Sequence, residues 1–185
     1  MADEYKIDDS LFEDFDLSKY LTKSPPSDSS FTTMQEIKEL NRIPINEKYV
    51  EEKDSLEEGF AKIVGYDNLI PDLINSSFIP IVKLKNHFNR PRPKELAKRL
   101  NIPFDHKYMP SMNTPSYPSG HSAQAVLLAR VLSDKYPNKK NKLNKYALEV
   151  SYSRNVAHEH YRSDSRFGWQ IGEDMYKYYK NNVQL

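Results

Sequence analysis

The chain of 185 residues contains no cysteine. Disulfide bonds and thiolate metal sites are therefore excluded, and the redox compartment stays open. No segment approaches the roughly 20 consecutive apolar residues that a membrane-spanning helix needs, because proline or polar residues interrupt the longest apolar runs. With 38% hydrophobic and 29% charged residues, the composition predicts one soluble domain with an ordinary core.

The N-terminal segment shows no secretory signal. Residues 1–6 lack both a basic region and an apolar region, so we expect a cytoplasmic protein, or a periplasmic one only if a leader has been removed. Residues 1–30 carry a net charge of −5 and end in a stretch rich in Ser and Pro. This composition predicts an acidic arm, flexible or loosely docked through its aromatic residues, ahead of a single domain over residues 31–185.

Hydrophobic periodicity predicts helices along the rest of the chain. No alternation of apolar and polar residues is long enough to indicate a sheet, so we expect an all-α fold. A first helix is predicted to begin at Thr32 or Thr33 and to end before Pro44. Further helices are predicted over residues 47–64, 68–76, 79–89, 94–101, 122–136, 143–157 and 165–179. In the helix over 122–136, one stripe of apolar residues is expected to face the core.

Three short segments carry side chains suited to transferring a phosphoryl group. The first is Lys-Asn-His-Phe-Asn-Arg-Pro-Arg-Pro over residues 85–93, and the second is Pro-Ser-Gly-His over residues 118–121. The third is Ser-Arg-Asn-Val-Ala-His-Glu-His-Tyr-Arg-Ser-Asp over residues 153–164. A phosphate dianion needs several fixed positive donors, because its charge spreads over three oxygens in the transition state.

The first segment offers Lys85 and Arg92 as phosphate ligands. They are seven residues apart, close to two helical turns, although Pro91 is expected to end the helix before Arg92. Arg suits bidentate contact with phosphate and Lys supplies a compact charge. Lys83 and Arg90 satisfy the same spacing, so the register is ambiguous on spacing alone.

The second segment precedes the helix predicted over 122–136. A helix N-terminus presents free backbone N–H groups to an anion, and Gly120 allows the backbone to approach the ligand closely. The Ser119 hydroxyl can add a hydrogen bond, and His121 would lie beside the leaving-group oxygen. A serine-capped helix start with an exposed histidine is the plain structural alternative.

The third segment places Arg154 and His160 six residues apart, which one straight helix cannot bring to the same face. The chain must therefore turn near residues 158–162 if both side chains are to reach one phosphate. Asp164 is then close enough to accept a hydrogen bond from the ring of His160. That bond would fix the tautomer and leave the other ring nitrogen free to attack.

Taken together in this order, the three segments resemble the signature of the PAP2 superfamily, which includes class A bacterial acid phosphatases and vanadium haloperoxidases. All eleven fixed positions of K-x6-R-P, P-S-G-H and S-R-x5-H-x3-D are present, with 24 and 31 residues between the segments. The resemblance implies a helical bundle and a metal-independent phosphomonoesterase that vanadate inhibits. It also implies roles for each signature residue: His160 as nucleophile that forms a phosphohistidine, His121 as general acid and then base, Asp164 as the group that orients His160, and Lys85, Arg92, Ser119, Gly120 and Arg154 as phosphate ligands.

Two alternatives and one departure accompany this interpretation. The same set of phosphate-binding residues could hold vanadate as the cofactor of a haloperoxidase, or it could bind an anion without catalysis. Family members commonly carry Gly two residues before the nucleophile, where this chain has His158, which could narrow the pocket. The expected partner is a small phosphorylated substrate rather than nucleic acid. The sequence leaves the oligomeric state open, and a homo-oligomer is one of the possibilities because soluble relatives often self-associate.

Overall fold

The computed structural model of the chain describes residues 8–183. Within this range it has eight α-helices, three short 3-10 helices and no β-strand, which confirms the all-α prediction. The α-helices are α1 (Phe31–Asn41), α2 (Glu47–Glu52), α3 (Leu56–Val64), α4 (Leu69–Phe88), α5 (Pro93–Arg99), α6 (Gly120–Lys135), α7 (Lys140–Val156) and α8 (Arg162–Asn182). The 3-10 helices are Ser18–Tyr20, Pro110–Asn113 and Pro137–Lys139.

Helix α6 lies at the centre of the bundle, in contact with α4, α7 and α8. The apolar stripe expected on this helix is buried, and the burial extends to apolar residues on its other sides. A helix that is enclosed by neighbours loses water from every face, so its pattern is no longer that of a surface helix. The buried apolar residues of α6 are Ala123, Ala125, Val126, Leu127, Leu128, Ala129, Val131 and Leu132.

Helix α4 runs unbroken through Pro80, where two separate helices were predicted. Proline removes one backbone hydrogen bond inside a helix, but Pro80 and Ile81 are buried on this helix and Ile81 and Leu84 belong to the main core. Packing against α6 therefore outweighs the local preference. The helix ends at Phe88, one residue before the end predicted at residue 89, because Asn89 adopts a left-handed conformation with φ of 47°.

The segment predicted as one helix over residues 47–64 is two helices, α2 and α3. Asn46 caps α2 by accepting a hydrogen bond from the backbone N–H of Tyr49, and Ser55 caps α3 in the same way from Glu58. Side chains of this type compete with helix continuation and favour a new N-terminus. The break exposes Asp54, which lies next to the candidate site.

The remaining helix ends agree with the predicted ranges to within three residues. The cap of α1 differs, since Ser30 rather than Thr32 or Thr33 accepts the capping hydrogen bond, at 3.1 Å from the N–H of Thr33. Thr33 instead donates its hydroxyl to the carbonyl of Ser27 at 2.8 Å. None of the described helices combines the length and the apolar character needed to cross a membrane.

The part of the predicted acidic arm that the structure describes packs against α8. Phe12 and Phe15 lie with ring centroids 6.0 and 5.5 Å from that of Tyr178. Tyr20 donates its hydroxyl to Asp174 at 2.8 Å, and Phe12, Phe15 and Tyr20 are all buried in the main core. Residues 1–7, on which the interpretation of the N-terminus depends, lie outside the described residues, and the domain boundary at residue 30 stays a prediction.

Candidate functional site

The residues predicted for the site converge at helix ends on one side of the bundle. Lys85 is in the last turn of α4, Arg92 immediately precedes α5, and Gly120 and His121 begin α6. His160 lies in the turn that joins α7 to α8, as its distance from Arg154 requires. These five elements meet at a cavity of about 140 Å³, which is lined by Phe78, Ile81, Val82, Lys85, Arg92, Ser111, Thr114, Gly120, His121, Gln124 and His160.

The imidazole of His160 is buried and held at both ring nitrogens. Its Nδ1 lies 3.1 Å from the Asp164 carboxylate, and its Nε2 lies 2.9 Å from Nη1 of Arg92. Because a guanidinium only donates and a carboxylate accepts, the proton is on Nδ1 and the Nε2 lone pair faces Arg92 in the cavity. Burial, together with the charges of Arg92 and Lys85, lowers the pKa of His160 well below its ordinary value. The ring is therefore neutral, with an available lone pair.

Asp164 is fully buried behind His160 and has further partners. Nη1 of Arg90 donates to its carboxylate at 2.7 Å, and the backbone N–H of Tyr161 donates at 3.1 Å. Burial raises the pKa of Asp164, and the neighbouring Arg90 opposes that rise. The Arg90 guanidinium also lies over the Tyr161 ring, 3.8 Å from its centroid. Arg90 thus supports the carboxylate that orients His160.

The cavity lining distinguishes between the two residue pairs of the first segment that have the right spacing, Lys85 with Arg92 and Lys83 with Arg90. Lys85 and Arg92 line the cavity with His160. Lys83 instead lines a different cavity, which α4 forms with the N-terminal segment. Arg90 bonds Asp164 and Glu36 rather than facing the cavity.

Lys85 is buried beside Arg92, and its ammonium donates to the carbonyl of Pro115 at 2.7 Å. Burial, with the positive charge of Arg92 as the next cause, lowers the pKa of Lys85 to about 7. Arg92 is fixed by donation to the carbonyls of Thr114 and Ser111, each at 2.8 Å. Both cations are therefore held in place before any ligand arrives.

Of the second segment, Gly120 and His121 face the cavity whereas Ser119 is buried beneath it. The Ser119 hydroxyl accepts from the N–H of Ser122 at 3.3 Å, so it caps α6. Nε2 of His121 lies 3.1 Å from the carbonyl oxygen of Asp54 and 3.4 Å from its carboxylate. A carbonyl only accepts, so Nε2 carries a proton and Nδ1 is the nitrogen available for other chemistry.

Arg154 is not among the residues that line the cavity. Its side chain is fully buried, and its Nη1 lies 2.8 Å from the Asp54 carboxylate and 3.4 Å from that of Glu159. Glu159 is buried as well, at 3.5 Å from Nη1 of Arg92 and in hydrogen-bond contact with Ser111. Two carboxylates therefore engage the guanidinium that the sequence assigned to the phosphate.

Asp54 and Glu159 are the two functional candidates that sequence reasoning missed. Hydrogen bonding from His121 is the largest cause that holds the pKa of Asp54 at about 2, with Arg154 contributing in the same direction. The sequence pattern predicted one continuous helix over residues 47–64, and this prediction hid the turn that contains Asp54. The Asp-Ser pair ahead of a run of apolar residues was the signal that could have indicated a new helix start there. Glu159 carried no signal beyond its position next to His160.

His158 does not narrow the cavity, contrary to one expectation. It adopts a left-handed backbone conformation with φ of 55°, which glycine tolerates most readily. Its ring points to a different part of the surface, where Nδ1 lies 2.7 Å from the carbonyl of Asp105 and Nε2 lies 2.9 Å from that of Ile43. These contacts connect the turn before His160 to two loops.

No cluster of three or more His, Asp or Glu side chains suited to a metal ion occurs in residues 8–183. The positive charges next to the cavity come from Lys85 and Arg92, with Arg154 and Arg90 buried behind them. The arrangement can bind an anion and present a neutral imidazole to it. A helix N-terminus adds backbone N–H groups at Gly120 and His121.

Comparison with known proteins gives two findings. The family model described as the PAP2 superfamily matches residues 69–179. Two curated relatives, both called non-specific acid phosphatase and from Salmonella typhimurium and Salmonella typhi, are each 30% identical over 107 residues. The similarity covers 57% of this chain and 42% of each relative, so the match spans less than half of their length. All predicted site residues fall inside the matched range, whereas Asp54 precedes it.

Proposed function

We propose that this chain, which belongs to the PAP2 superfamily, is a metal-independent phosphatase that hydrolyses phosphomonoesters through a phosphohistidine at His160. The observation that carries the proposal is the state of the His160 ring. Nδ1–H donates to Asp164 at 3.1 Å, and the Nε2 lone pair faces the cavity beside two cations. The names of the Salmonella relatives support the same reaction class.

Substrate binding is the first step of the proposed reaction. A phosphate dianion enters the cavity and takes hydrogen bonds from Lys85, Arg92 and the backbone N–H groups at the start of α6. Arg92 then donates to a phosphate oxygen in place of Nε2 of His160, which frees the lone pair. These cations supply positive charge where the transition state spreads its negative charge, so the step needs no bound metal.

Phosphoryl transfer to His160 is the second step. The Nε2 lone pair forms a bond to phosphorus while the bond from phosphorus to the leaving oxygen breaks. In this step His121 acts as its imidazolium: Nε2–H stays bonded to Asp54, Nδ1–H gives its proton to that oxygen, and the alcohol leaves while the ring becomes neutral. Asp164 stabilises the positive charge that develops on the His160 ring, because its carboxylate already accepts from Nδ1.

Hydrolysis of the phosphohistidine completes the cycle. A water molecule gives a proton to His121 and attacks phosphorus on the side that the alcohol has left. The N–P bond breaks, its electron pair returns to Nε2, and inorganic phosphate departs. Both histidines then return to their starting protonation states, so each turnover consumes one ester and one water.

The proposal is tested by hydrolysis of p-nitrophenyl phosphate in EDTA between about pH 4 and 8. We expect turnover by the wild-type protein and none by His160→Ala with an unchanged helical circular dichroism spectrum. His87→Ala is the matched control, since His87 is an exposed histidine on α4 outside the cavity, and it should retain wild-type activity. Equal activity in His160→Ala and wild type would overturn the proposal.

A further inference from the structure

One face of α4 leads from solvent into the candidate site. Phe78, Ile81, Val82 and Lys85 all line the cavity, and their spacing of three, four and seven residues places them along one face of a helix. Phe78 is 58% exposed, whereas Ile81 is 2% exposed and Lys85 is 5% exposed. The face therefore passes from an exposed aromatic ring, over aliphatic side chains, to a buried ammonium group. We call Phe78, Ile81 and Val82 the apolar stripe.

The length of the stripe limits what it can contact. At 1.5 Å of rise per residue, Phe78 lies ~10 Å along the helix from Lys85. The cavity of about 140 Å³ is small compared with the roughly 300–1,000 Å³ of pockets that surround a drug-sized ligand. A phosphate group with the first atoms of its ester fits this space, and any larger leaving group must extend outwards along the stripe.

The other residues that line the cavity differ in chemistry. They include the polar side chains of Ser111, Thr114 and Gln124. Gln124 is fixed from α4, because its amide nitrogen donates to the carbonyl of Ile74 at 3.0 Å and lies 3.3 Å from the Ser77 hydroxyl. The apolar side chains that a leaving group can contact in this cavity thus all come from α4.

We infer that the apolar stripe binds the leaving group of the substrate, so that the preferred esters carry an apolar group directly next to the phosphate. Phe78 is the specificity-determining residue, because it is the outermost member of the stripe and gains the most burial from a ligand. Esters of sugars and other polyhydroxy alcohols gain no such burial. The inference rests on the proposed function only for the phosphate end of the ligand.

Neighbouring Ile79 supplies a matched control. It is 52% exposed, similar to Phe78, but it lines the cavity between α4 and the N-terminal segment instead. Both side chains are at the surface of the same helix, so neither replacement by alanine removes core packing. A difference in ligand binding between Phe78→Ala and Ile79→Ala can therefore be attributed to the apolar stripe.

Binding of phosphonates tests the inference without any need for turnover. Titration calorimetry with methylphosphonate and hexylphosphonate should show about tenfold tighter binding of the hexyl compound by the wild-type protein. Phe78→Ala should reduce this ratio to within about twofold of unity, and Ile79→Ala should keep it. Equal affinities in the wild type, or the same ratio in Phe78→Ala and wild type, would overturn the inference, as would failure to bind either phosphonate.

Turnover of two six-carbon primary esters then separates this inference from the proposed function. We expect kcat/KM for hexyl phosphate to exceed that for glucose 6-phosphate by about tenfold, and Phe78→Ala to remove most of that preference. Hexylphosphonate binding without hydrolysis of either ester would contradict the proposed reaction and leave the stripe supported. Hydrolysis of both esters at equal rates would contradict the stripe and leave the reaction supported.

Discussion

Two contacts of the His160 ring determine which nitrogen carries the proton and which carries the lone pair. Asp164 fixes the proton on Nδ1 at 3.1 Å, and Arg92 holds the lone pair of Nε2 at 2.9 Å. Burial keeps the ring neutral, and the same burial lowers the pKa of Lys85 next to it. The environment that keeps the proposed nucleophile His160 neutral therefore also makes Lys85 a cation that titrates close to neutral pH.

The titration of Lys85 sets a prediction for pH dependence. Its charged form attracts the phosphate dianion, and its pKa in the unliganded protein is lowered to about 7. As pH rises through this value the charge is lost, so kcat/KM should fall on the alkaline side. Arginine stays charged throughout this range, so Lys85→Arg should move the alkaline limb upwards. The measurement is kcat/KM for p-nitrophenyl phosphate between about pH 5 and 9.

The maximum of the Lys85→Arg profile should be lower than that of the wild type, because a planar guanidinium does not reproduce the ammonium contact with Pro115. Comparison on one substrate removes the contribution of the substrate's own ionisation. If wild type and Lys85→Arg shared the same alkaline limb, Lys85 would not be the group responsible.

Asp54 is predicted to position His121, the proposed general acid. It contacts His121 through both its carbonyl and its carboxylate, and it stays ionised because its pKa is about 2. Asp54→Asn should lower kcat by about tenfold for alkyl phosphates, since general acid catalysis contributes about 10²–10⁴-fold and only part of it is lost. For p-nitrophenyl phosphate, whose leaving group needs little protonation, the decrease should be small.

The two substrates thus act as each other's control in the Asp54→Asn experiment. A general loss of folding or of phosphate binding lowers both rates together. An equal decrease for alkyl and p-nitrophenyl esters would therefore contradict a role through His121.

At the level of elements, the site depends on close contact between α6 and α8. A Cβ atom added at Gly172 would overlap the side chain of Val126 and the carbonyl of Ala123. One added at Gly168 would overlap the carbonyl of Ser119, the residue that caps α6. Glycine at these two positions lets α8 approach the start of α6, which brings Asp164 and His160 to the cavity.

Gly172→Ala should therefore destabilise the protein. Overpacking of this kind costs about 1–3 kcal/mol, which corresponds to a fall in Tm of roughly 2–12 °C for a chain of this size. Gly120→Ala is the contrasting variant, because its Cβ would lie 3.5 Å from Ile81 Cγ2 and 3.8 Å from Lys85 Cε, ordinary contact distances. It should keep its Tm and lose activity as the cavity narrows. A Tm unchanged by Gly172→Ala in differential scanning calorimetry would contradict the packing.

Helices and motif residues were largely predictable from the sequence, whereas their interruptions were not. The periodicity of α6, α7 and α8 and the order of the three segments reflect local patterns. The unbroken α4 depends on burial of Pro80, and the break before α3 depends on competition between helix continuation and the Ser55 cap. Such outcomes are decided by tertiary packing, which a linear pattern does not contain.

For the candidate site too, some features were predictable from the sequence and others were not. Five of the motif residues line one cavity, as the spacing of the motifs predicts: Lys85, Arg92, Gly120, His121 and His160. The engagement of Arg154 by Asp54 does not follow from any spacing, since the two residues are 100 positions apart. Long-range ion pairs of this kind become visible only when the helices are assembled.

On the scale of the whole molecule, the fold brings together three segments that are separated by 24 and 31 residues. Each segment lies at a helix end, so the rigid bundle sets the distances between the groups that are proposed to act on phosphorus. If these groups are arranged for phosphoryl transfer, they should bind the trigonal-bipyramidal transition state at phosphorus more tightly than a tetrahedral phosphate anion.

Vanadate should consequently inhibit far more strongly than phosphate. Transition-state analogues bind at least about 100-fold tighter than ground-state ligands, so the inhibition constant of vanadate should be lower than that of inorganic phosphate by at least this factor. Both constants are measured by competition against p-nitrophenyl phosphate at one pH. Similar constants for the two anions would show that the phosphate-binding residues are not arranged around the transition state.

The most direct test of the phosphohistidine is the stereochemistry of transfer at phosphorus. An ester whose phosphoryl group is made chiral with three oxygen isotopes is incubated with the protein and an acceptor alcohol, and the configuration of the new ester is determined. Each in-line displacement inverts phosphorus, so attack by His160 followed by attack of the acceptor predicts overall retention. Overall inversion would mean a single displacement without a covalent intermediate, and would contradict the proposed mechanism.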